Sequence, residues 1–209
     1  MIAKYFYLIF LFTACHKNPV DNNLSNYFPN NVGNTWEYDV ADSTLSSPGN
    51  PSTPQHYAVK VSIIGIKKLA DGQDAAIWVY KFPSGNDTNY VRQTGDTIKT
   101  FYNQYSTTVE DLNFPAVIFI PPFTINQRWN GKLYGVDSFR VVRQTTINTP
   151  NHTFDDCFDI YLHYLGPNTE LNDHYYIKPF VGITRKELIH YMNGPILYQT
   201  WTLKTYIVH

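Results

Sequence analysis

The ten-residue stretch YAVKVSIIGI, residues 57–66, decides the class of fold. Apolar side chains occupy every second position from Tyr57 to Ile63, and the polar residues Lys60 and Ser62 fall between them. This period of two is typical of a β-strand that buries one face and exposes the other. The stretch therefore predicts a half-buried strand in an antiparallel sheet.

Similar runs extend outward in both directions. Asp71-Gly72 separates the first strand from residues 75–82, its expected antiparallel partner, and Gly95-Asp96 separates two further runs. The remaining strand-like runs are residues 116–120, 137–147, 154–165 and 198–208, whereas residues 42–55 are a Ser/Pro/Gly-rich loop. These signals predict a mainly β, single domain of antiparallel strands. It forms either a strongly curved sheet (an open barrel) or a β-sandwich, because periodicity does not distinguish the two closures.

Residues 183–204 allow two interpretations. Thr184 to Glu187 has the form of a helix capping box. Against a helix, Asn193-Gly194 lies between two runs of similar length and suits a type I′ hairpin turn, in which both central residues need positive φ. We favour the hairpin, with a strand on each side of the turn.

Two segments place a tryptophan seven residues after a proline. Pro29 leads to Trp36, and Pro122 leads to Trp129. Gly33 and Asn126 occupy equivalent positions, and both residue types tolerate the left-handed conformation. The match predicts, in each segment, a turn followed by a strand that opens with a buried tryptophan. It also raises the hypothesis of a duplicated unit.

The composition excludes several classes of protein. The 209 residues carry 16 basic and 17 acidic side chains, a formal charge of −1, which offers no strong field to recruit nucleic acid. Charged residues are only 16% and aromatic residues also reach 16%, which argues against disorder and against coiled coils.

The N-terminus resembles a bacterial lipoprotein signal. A basic start is followed by the apolar run YFYLIFLFTA, residues 5–14, which is too short to span a bilayer. The run ends at Thr13-Ala14-Cys15, where the resemblance implies diacylation of the Cys15 thiol and cleavage before it. We expect residues 1–14 to be a signal peptide, 15–26 a flexible tether and 27–209 the β-rich domain, on the outer membrane. Since the lipid would occupy Cys15, Cys157 would be the only free thiol, and no disulfide framework is possible within the chain.

Four segments resemble uncharacterised envelope lipoproteins of the Bacteroides group. The first is Y-F-P-x-x-x-G-N-x-W-x-Y, residues 27–38, directly after the tether. The others are residues 122–129, 153–160 and 181–187. The resemblance implies an extracytoplasmic β-domain with no assigned enzyme activity, and it favours a strand at Ile183.

No short catalytic motif occurs, so no catalytic residue, cofactor or metal ligand is assigned. The densest group of ligand-type side chains is His152, Asp155, Asp156, Cys157 and Asp159. On a strand, Cys157, Asp159, Tyr161 and His163 would share one face, with Phe158, Ile160 and Leu162 directed inward. For this group, a solvated turn and strand edge is a simpler interpretation than a metal site. We interpret Cys157 as a small packed residue, and His163 and His174 as surface histidines flanking a loop.

Three functions are compatible with these observations. The first is a non-catalytic, lipid-anchored binding or scaffolding module, with Cys15 as the lipidated residue. The second is a carrier of a lipid or other apolar ligand, which requires an apolar cavity of several hundred Å³. The third is a glycan-active hydrolase, which requires two carboxylates across a cleft. The aromatic residues are expected to fill the core, although they could also line a surface for a glycan or lipid.

Overall fold

The computed structural model describes residues 27–45, 53–131, 138–192 and 196–209. In these ranges the strands form one antiparallel sheet. They are β1 (Thr35–Leu45), β2 (Gln55–Lys68), β3 (Asp74–Phe82), β4 (Gly85–Thr94), β5 (Thr97–Tyr102), β6 (Val117–Phe119), β7 (Arg128–Asn130), β8 (Ser138–Asn148), β9 (Thr153–Leu165), β10 (Thr169–Lys178), β11 (Gly182–Met192) and β12 (Ile196–Ile207). Two short 3₁₀ turns, Asn103–Tyr105 and Asp111–Asn113, lie between β5 and β6. None of the helices in the described ranges is long and apolar enough to cross a membrane.

The sheet consists of two six-stranded meanders. In the first, β1 to β6 pair in chain order, and in the second, β7 to β12 do the same. The two meanders join where β1 pairs with β12. The edge strands β6 and β7 are three residues long. The whole sheet therefore runs from β6 to β1 and then from β12 to β7.

The predicted fold class is confirmed, and its predicted closure is corrected. The protein is mainly β and antiparallel, but the sheet is neither closed nor strongly curled, and its twelve described strands form one sheet rather than a sandwich of two. The edge strands are too short to support a closing ladder. Pro121 and Pro122 follow β6 shortly after it ends and have no N–H to extend its pairing.

Most predicted strands are found, with two corrections. The hairpins β2–β3 and β4–β5 lie where the Asp-Gly and Gly-Asp signals place them. The expected loop over residues 42–55 begins later, because β1 continues to Leu45 alongside β12. Strand β10 was not predicted, because its sequence TELNDHYYIK has no clear apolar alternation over its first half.

Residues 183–192 form a strand, so the helical alternative is wrong. Strands β11 and β12 pair as neighbours, with Tyr191 opposite Ile196. The proposed turn residues Asn193-Gly194 lie outside the described residues, and the type I′ turn stays a prediction.

A β-bulge changes the predicted faces of β12. The sequence pattern places Ile207 on the same face as Trp201 and Leu203. In the structure Glu37 pairs with Thr205 and Tyr38 with Leu203, so that one residue of β12 is skipped. The bulge reverses the alternation beyond it, and Ile207 is exposed.

The two proline-to-tryptophan turns have the same backbone hydrogen bonds. Gly33 (φ 98°) and Asn126 (φ 69°) both adopt positive φ. Each donates its N–H to a residue of the second strand after the turn. Gly33 donates to Ile63 O in β2 and Asn126 to Val141 O in β8, both at 2.9 Å. The next residue in each turn donates its N–H three residues back, to Asn31 O and Thr124 O, and accepts the N–H of the same strand residue, Ile63 or Val141.

The equivalence continues into the following strands. Trp36 pairs with Val61 as Trp129 pairs with Phe139. A bulge follows each anchor residue, between Ile63 and Gly65 in β2 and between Val141 and Arg143 in β8. The two meanders therefore share a backbone framework, which supports the hypothesis of a duplicated unit.

One face of the sheet, called the inner face, carries the main core. Trp36 stacks on Trp78 with ring centroids 5.0 Å apart, and Trp129 stacks on Phe139 at 5.4 Å. The opposite, outer face of the first meander buries a smaller cluster of Leu69, Ala75, Tyr90, Phe101 and Leu112. The sheet therefore has apolar side chains on both faces of its first half.

Candidate functional site

A cavity of about 670 Å³ opens on the inner face, between side chains of β3–β6 and side chains of β9–β12. This volume is within the range of small-molecule sites, roughly 300–1,000 Å³. Most of its lining is aromatic or aliphatic: Phe28, Trp78, Tyr80, Phe82, Val91, Tyr102, Ala116, Val117, Phe119, Leu162, Leu171, Tyr175, Ile183, Leu188 and Trp201. The cavity therefore presents an apolar interior.

The cavity has a buried floor and an exposed mouth. Trp78, Leu162 and Trp201 are each at most 6% exposed and belong to the core. The mouth is lined by exposed polar residues of β4 and of the 3₁₀ turn after β5, among them Asp87 and Gln104. A ligand would pass from a polar rim to an aromatic interior.

Asp173 is a buried carboxylate in the cavity lining. It is 3% exposed. Its Oδ1 lies 3.0 Å from His190 Nε2 and accepts the backbone N–H of Ile189 at 3.3 Å. Burial raises the pKa of the neighbouring Tyr175 well above its ordinary value, and the charge of Asp173 adds to this rise. The phenol of Tyr175 therefore stays protonated. The carboxylate of Asp173 is held in place by its hydrogen bonds to the protein.

Lys186 brings a positive charge into the same cavity. Its Nζ lies 3.6 Å from the ring centroid of Trp201 and 5.9 Å from that of Tyr80. Trp201 is also its direct partner across the β11–β12 ladder. The residue is half-buried, and desolvation of its ammonium group lowers the pKa of Lys186 to about 8. At neutral pH the side chain is still mostly protonated.

The predicted alternation along β9 is confirmed. Phe158 packs on Phe123, and Ile160 and Leu162 lie in the core on the inner side. Cys157 is fully buried, with its Sγ 3.5 Å from Thr184 Oγ1, and burial raises the pKa of its thiol. Cys157 is thus a packed thiol rather than an activated nucleophile.

The predicted ligand-type cluster does not come together as one site. Asp156 adopts φ 59° at the start of β9, and Asp155 accepts a hydrogen bond from Thr146. The ring of His152 packs between those of Phe154 and Tyr206. No group of three His, Cys, Asp or Glu side chains suited to a metal ion occurs within the described ranges.

His174 is not a simple surface histidine, which corrects the sequence interpretation. Its Nδ1 lies 2.6 Å from Oδ1 of Asp159, which is 1% exposed. Arg143 Nε donates to the other oxygen of Asp159 at 3.2 Å. The bond to Asp159 raises the pKa of His174, and the charge of Asp159 raises the pKa of Arg143. We call Arg143, Asp159 and His174 the outer-face network.

His163 lies 3.5 Å from Glu170 and is partly exposed, close to its predicted surface position. It sits opposite Asn172 in the β9–β10 ladder. The two predicted flanking histidines therefore lie on neighbouring strands, and only Gly166 and the residues next to it form the connecting turn.

Sequence reasoning missed the cavity residues Lys186, Asp173 and His190. Lys186 was part of the capping-box pattern, and Asp173 and His190 belonged to no motif. The available signal was the alternation Lys186, Leu188, His190 along β11, which places a cation on the same face as an apolar residue. Cys15, the predicted lipidation site, lies outside the described residues.

Comparisons with known proteins find only a weak structural similarity to solved structures. No protein-family model matches the chain, and no curated protein matches its sequence. Among solved structures, a Bacteroides fragilis protein described as a candidate exported protein with a YmcC-like fold is 15% identical, with a TM-score of 0.46. A Parabacteroides distasonis protein described as a candidate lipoprotein is 17% identical, also at 0.46. Each alignment covers 87% of this chain and 98% of the other.

Proposed function

We propose that the chain is a non-catalytic, lipid-anchored module of the cell envelope that binds a small, largely apolar ligand in the inner-face cavity. The observation that carries the proposal is the cavity of about 670 Å³ with its aromatic and aliphatic lining. An apolar ligand that covers the apolar part of this lining releases free energy in proportion to the apolar area removed from water.

The polar groups of the cavity support binding rather than catalysis. Asp173 accepts hydrogen bonds from His190 and Ile189, which commits its carboxylate to the protein. Tyr175 is held protonated. A hydrolase of the two-carboxylate type needs an acid with a raised pKa and a free base across a cleft. Of the two carboxylates in this lining, Asp87 lies at the exposed mouth and Asp173 is hydrogen-bonded to the protein, so binding is the simpler function.

The proposed anchor is Cys15. The apolar run before it ends at Thr13-Ala14, and a polar tether of about a dozen residues separates it from Tyr27. A lipid chain contributes roughly 0.8 kcal/mol per buried CH₂, so the two or three chains of a lipoprotein hold it stably on a membrane. The proposed location is the outer membrane.

A neutral fluorescent probe tests ligand binding. The soluble form is the chain from residue 15 carrying Cys15→Ser, titrated with N-phenyl-naphthylamine, whose emission rises in apolar surroundings. Ala116 lines the cavity, and Ala116→Trp fills part of its volume. We expect the Cys15→Ser chain to bind the probe, and the same chain with Ala116→Trp to bind it at least tenfold more weakly.

The matched control is Ile64→Trp, which adds an indole at a position of β2 that is 61% exposed. It should bind the probe as the Cys15→Ser chain does. Equal probe emission from all three proteins, or none from any, would contradict the proposed function.

The anchor has a separate test. Palmitate labelling in the native host should mark the wild-type chain and not Cys15→Ala, which lacks the acylated thiol. Equal labelling of the two chains would overturn the lipidation of Cys15 without bearing on the cavity.

A further inference from the structure

The inner-face cavity contains a cation that the protein leaves without a polar partner. Within the described ranges, Lys186 Nζ makes no hydrogen bond and no ion pair, and its near contacts are the rings of Trp201 and Tyr80. Three other lysines differ: Lys68 pairs with Asp74 at 3.0 Å, Lys67 donates to Tyr90 and Lys178 donates to Asp155 O. Lys186 therefore differs from these three lysines in having no polar partner, and it is the lysine that lines the cavity.

Asp173 does not form an ion pair that neutralises the charge of Lys186. The field of Asp173 favours the protonated form of Lys186, but the desolvation of the ammonium outweighs it. Asp173 Oδ1 is held by His190 at 3.0 Å and by the N–H of Ile189. Partial desolvation of a cation costs free energy, and an incoming anion would offset that cost.

Lys186 lies beside apolar side chains of the cavity. On the same face of β11, Leu188 and Ile183 line the cavity, and Trp201 lies directly across the ladder. An acidic group at Nζ would leave the rest of its molecule against these apolar side chains. The lining thus offers one lysine beside a larger apolar surface. Its two carboxylates are Asp173, which is hydrogen-bonded to the protein, and Asp87, which lies at the exposed mouth.

We propose that the ligand of the cavity is an amphiphile with one acidic group, which pairs with Lys186 while its apolar part lies against Trp201, Trp78 and Phe119. This inference rests on the proposed function, because it names the class of ligand for the same cavity. A carboxylate and a phosphate monoester share the required chemistry, since both present anionic oxygens to an ammonium.

Displacement of N-phenyl-naphthylamine tests the inference. Dodecanoate, dodecyl phosphate and dodecanol share one chain length and differ in their head groups. A hydrogen bond to a charged group contributes about 1.5–3 kcal/mol, so at least one anion should bind roughly tenfold or more tightly than dodecanol. The tighter of the two anions identifies whether the ligand is of the fatty-acid or the phosphate type.

Lys186→Met should remove this preference and leave dodecanol binding within about twofold of wild type, because it keeps an unbranched side chain of similar length. Lys186→Arg should retain the preference. The matched control is Lys67→Met, which removes another lysine that lies over a tyrosine ring, 4.8 Å from the Tyr90 centroid and outside the cavity. Its head-group preference should equal that of wild type.

Failure of the inference is distinguishable from failure of the proposed function. If the probe binds and Ala116→Trp excludes it, but dodecanol competes as well as both anions, the inference is overturned and the cavity remains a binding site. The same conclusion follows if Lys186→Met keeps the preference for an anion. Absence of probe binding to the wild-type chain would overturn both.

Discussion

The two meanders share a backbone framework but differ at equivalent positions of their outer faces. After the shared bulge, Gly65 pairs with Ile77 in the first meander, whereas Arg143 pairs with Asp159 in the second. Ile77 packs against the outer cluster that includes Phe101 and Leu112. Asp159 instead pairs with Arg143 and His174.

The difference follows from what covers each outer face. The 3₁₀ turn Asp111–Asn113 places Leu112 in the outer cluster of the first meander. In the second meander Arg143 and His174 remain partly exposed to solvent, so a polar network satisfies the buried carboxylate of Asp159. The same strand framework thus accepts apolar or charged side chains, and the fold alone does not determine the chemistry of either face.

The matched tryptophans should show the largest difference between the meanders. Trp36 is 1% exposed on a strand paired on both sides, whereas Trp129 is 8% exposed on a three-residue edge strand. Large-to-small core substitutions of this kind cost about 3–5 kcal/mol. We expect Trp36→Ala near the upper end of this range and Trp129→Ala near or below the lower end, measured by urea denaturation. A larger loss for Trp129→Ala would show that the edge unit, not the central one, holds the sheet together.

The positive-φ residues of the two turns should differ by a smaller amount. A Cβ added at Gly33 would lie 3.7 Å from its nearest neighbour, His209, so it would not clash. The loss of stability on substitution therefore measures the cost of the φ of 98° for a residue with a side chain. A left-handed conformation costs an L-residue roughly 1–2 kcal/mol. Gly33→Ala should lose about this much stability, and Asn126→Gly should stay within about 0.5 kcal/mol of wild type because glycine adopts positive φ freely. An unchanged denaturation midpoint for Gly33→Ala would exclude the strained turn.

The outer-face network of the second meander should add a pH dependence around neutral pH. The bond to Asp159 raises the folded-state pKa of His174 above its unfolded value of about 6.5. Its stabilising contribution is therefore complete below about pH 6.5 and is lost as the pH rises through the folded-state pKa. Wild type should lose more stability than His174→Gln between pH 5.5 and 8.5, by comparison of urea midpoints. Parallel plots of urea midpoint against pH for the two proteins would show that His174 is not the titrating group.

The sequence predicted strands and turns better than it predicted the site. Local signals such as the alternation in residues 57–66 and the left-handed positions Gly33 and Asn126 depend on a few neighbouring residues, and the structure agrees with them. The order of the sheet depends on the pairing of β1 with β12, a contact between distant parts of the chain that no local pattern encodes.

The cavity was beyond prediction for the same reason. It brings Trp78 of the first meander to the same space as Lys186 and Trp201 of the second. In the sequence these are an ordinary strand tryptophan and a lysine in a capping-box pattern. The outer-face network likewise joins three strands, and its histidine lies in β10, the strand with the weakest alternation.

Native mass spectrometry of the chain purified from its native host tests the central claim most directly. The Cys15→Ser form and the same form with Ala116→Trp would be compared under identical conditions. A cavity that holds a ligand predicts a small molecule bound to the first protein at a stoichiometry of about one and depleted from the second. A protein mass without any bound species in both samples, or an equal bound species in both, would contradict the claim that the inner-face cavity is a binding site.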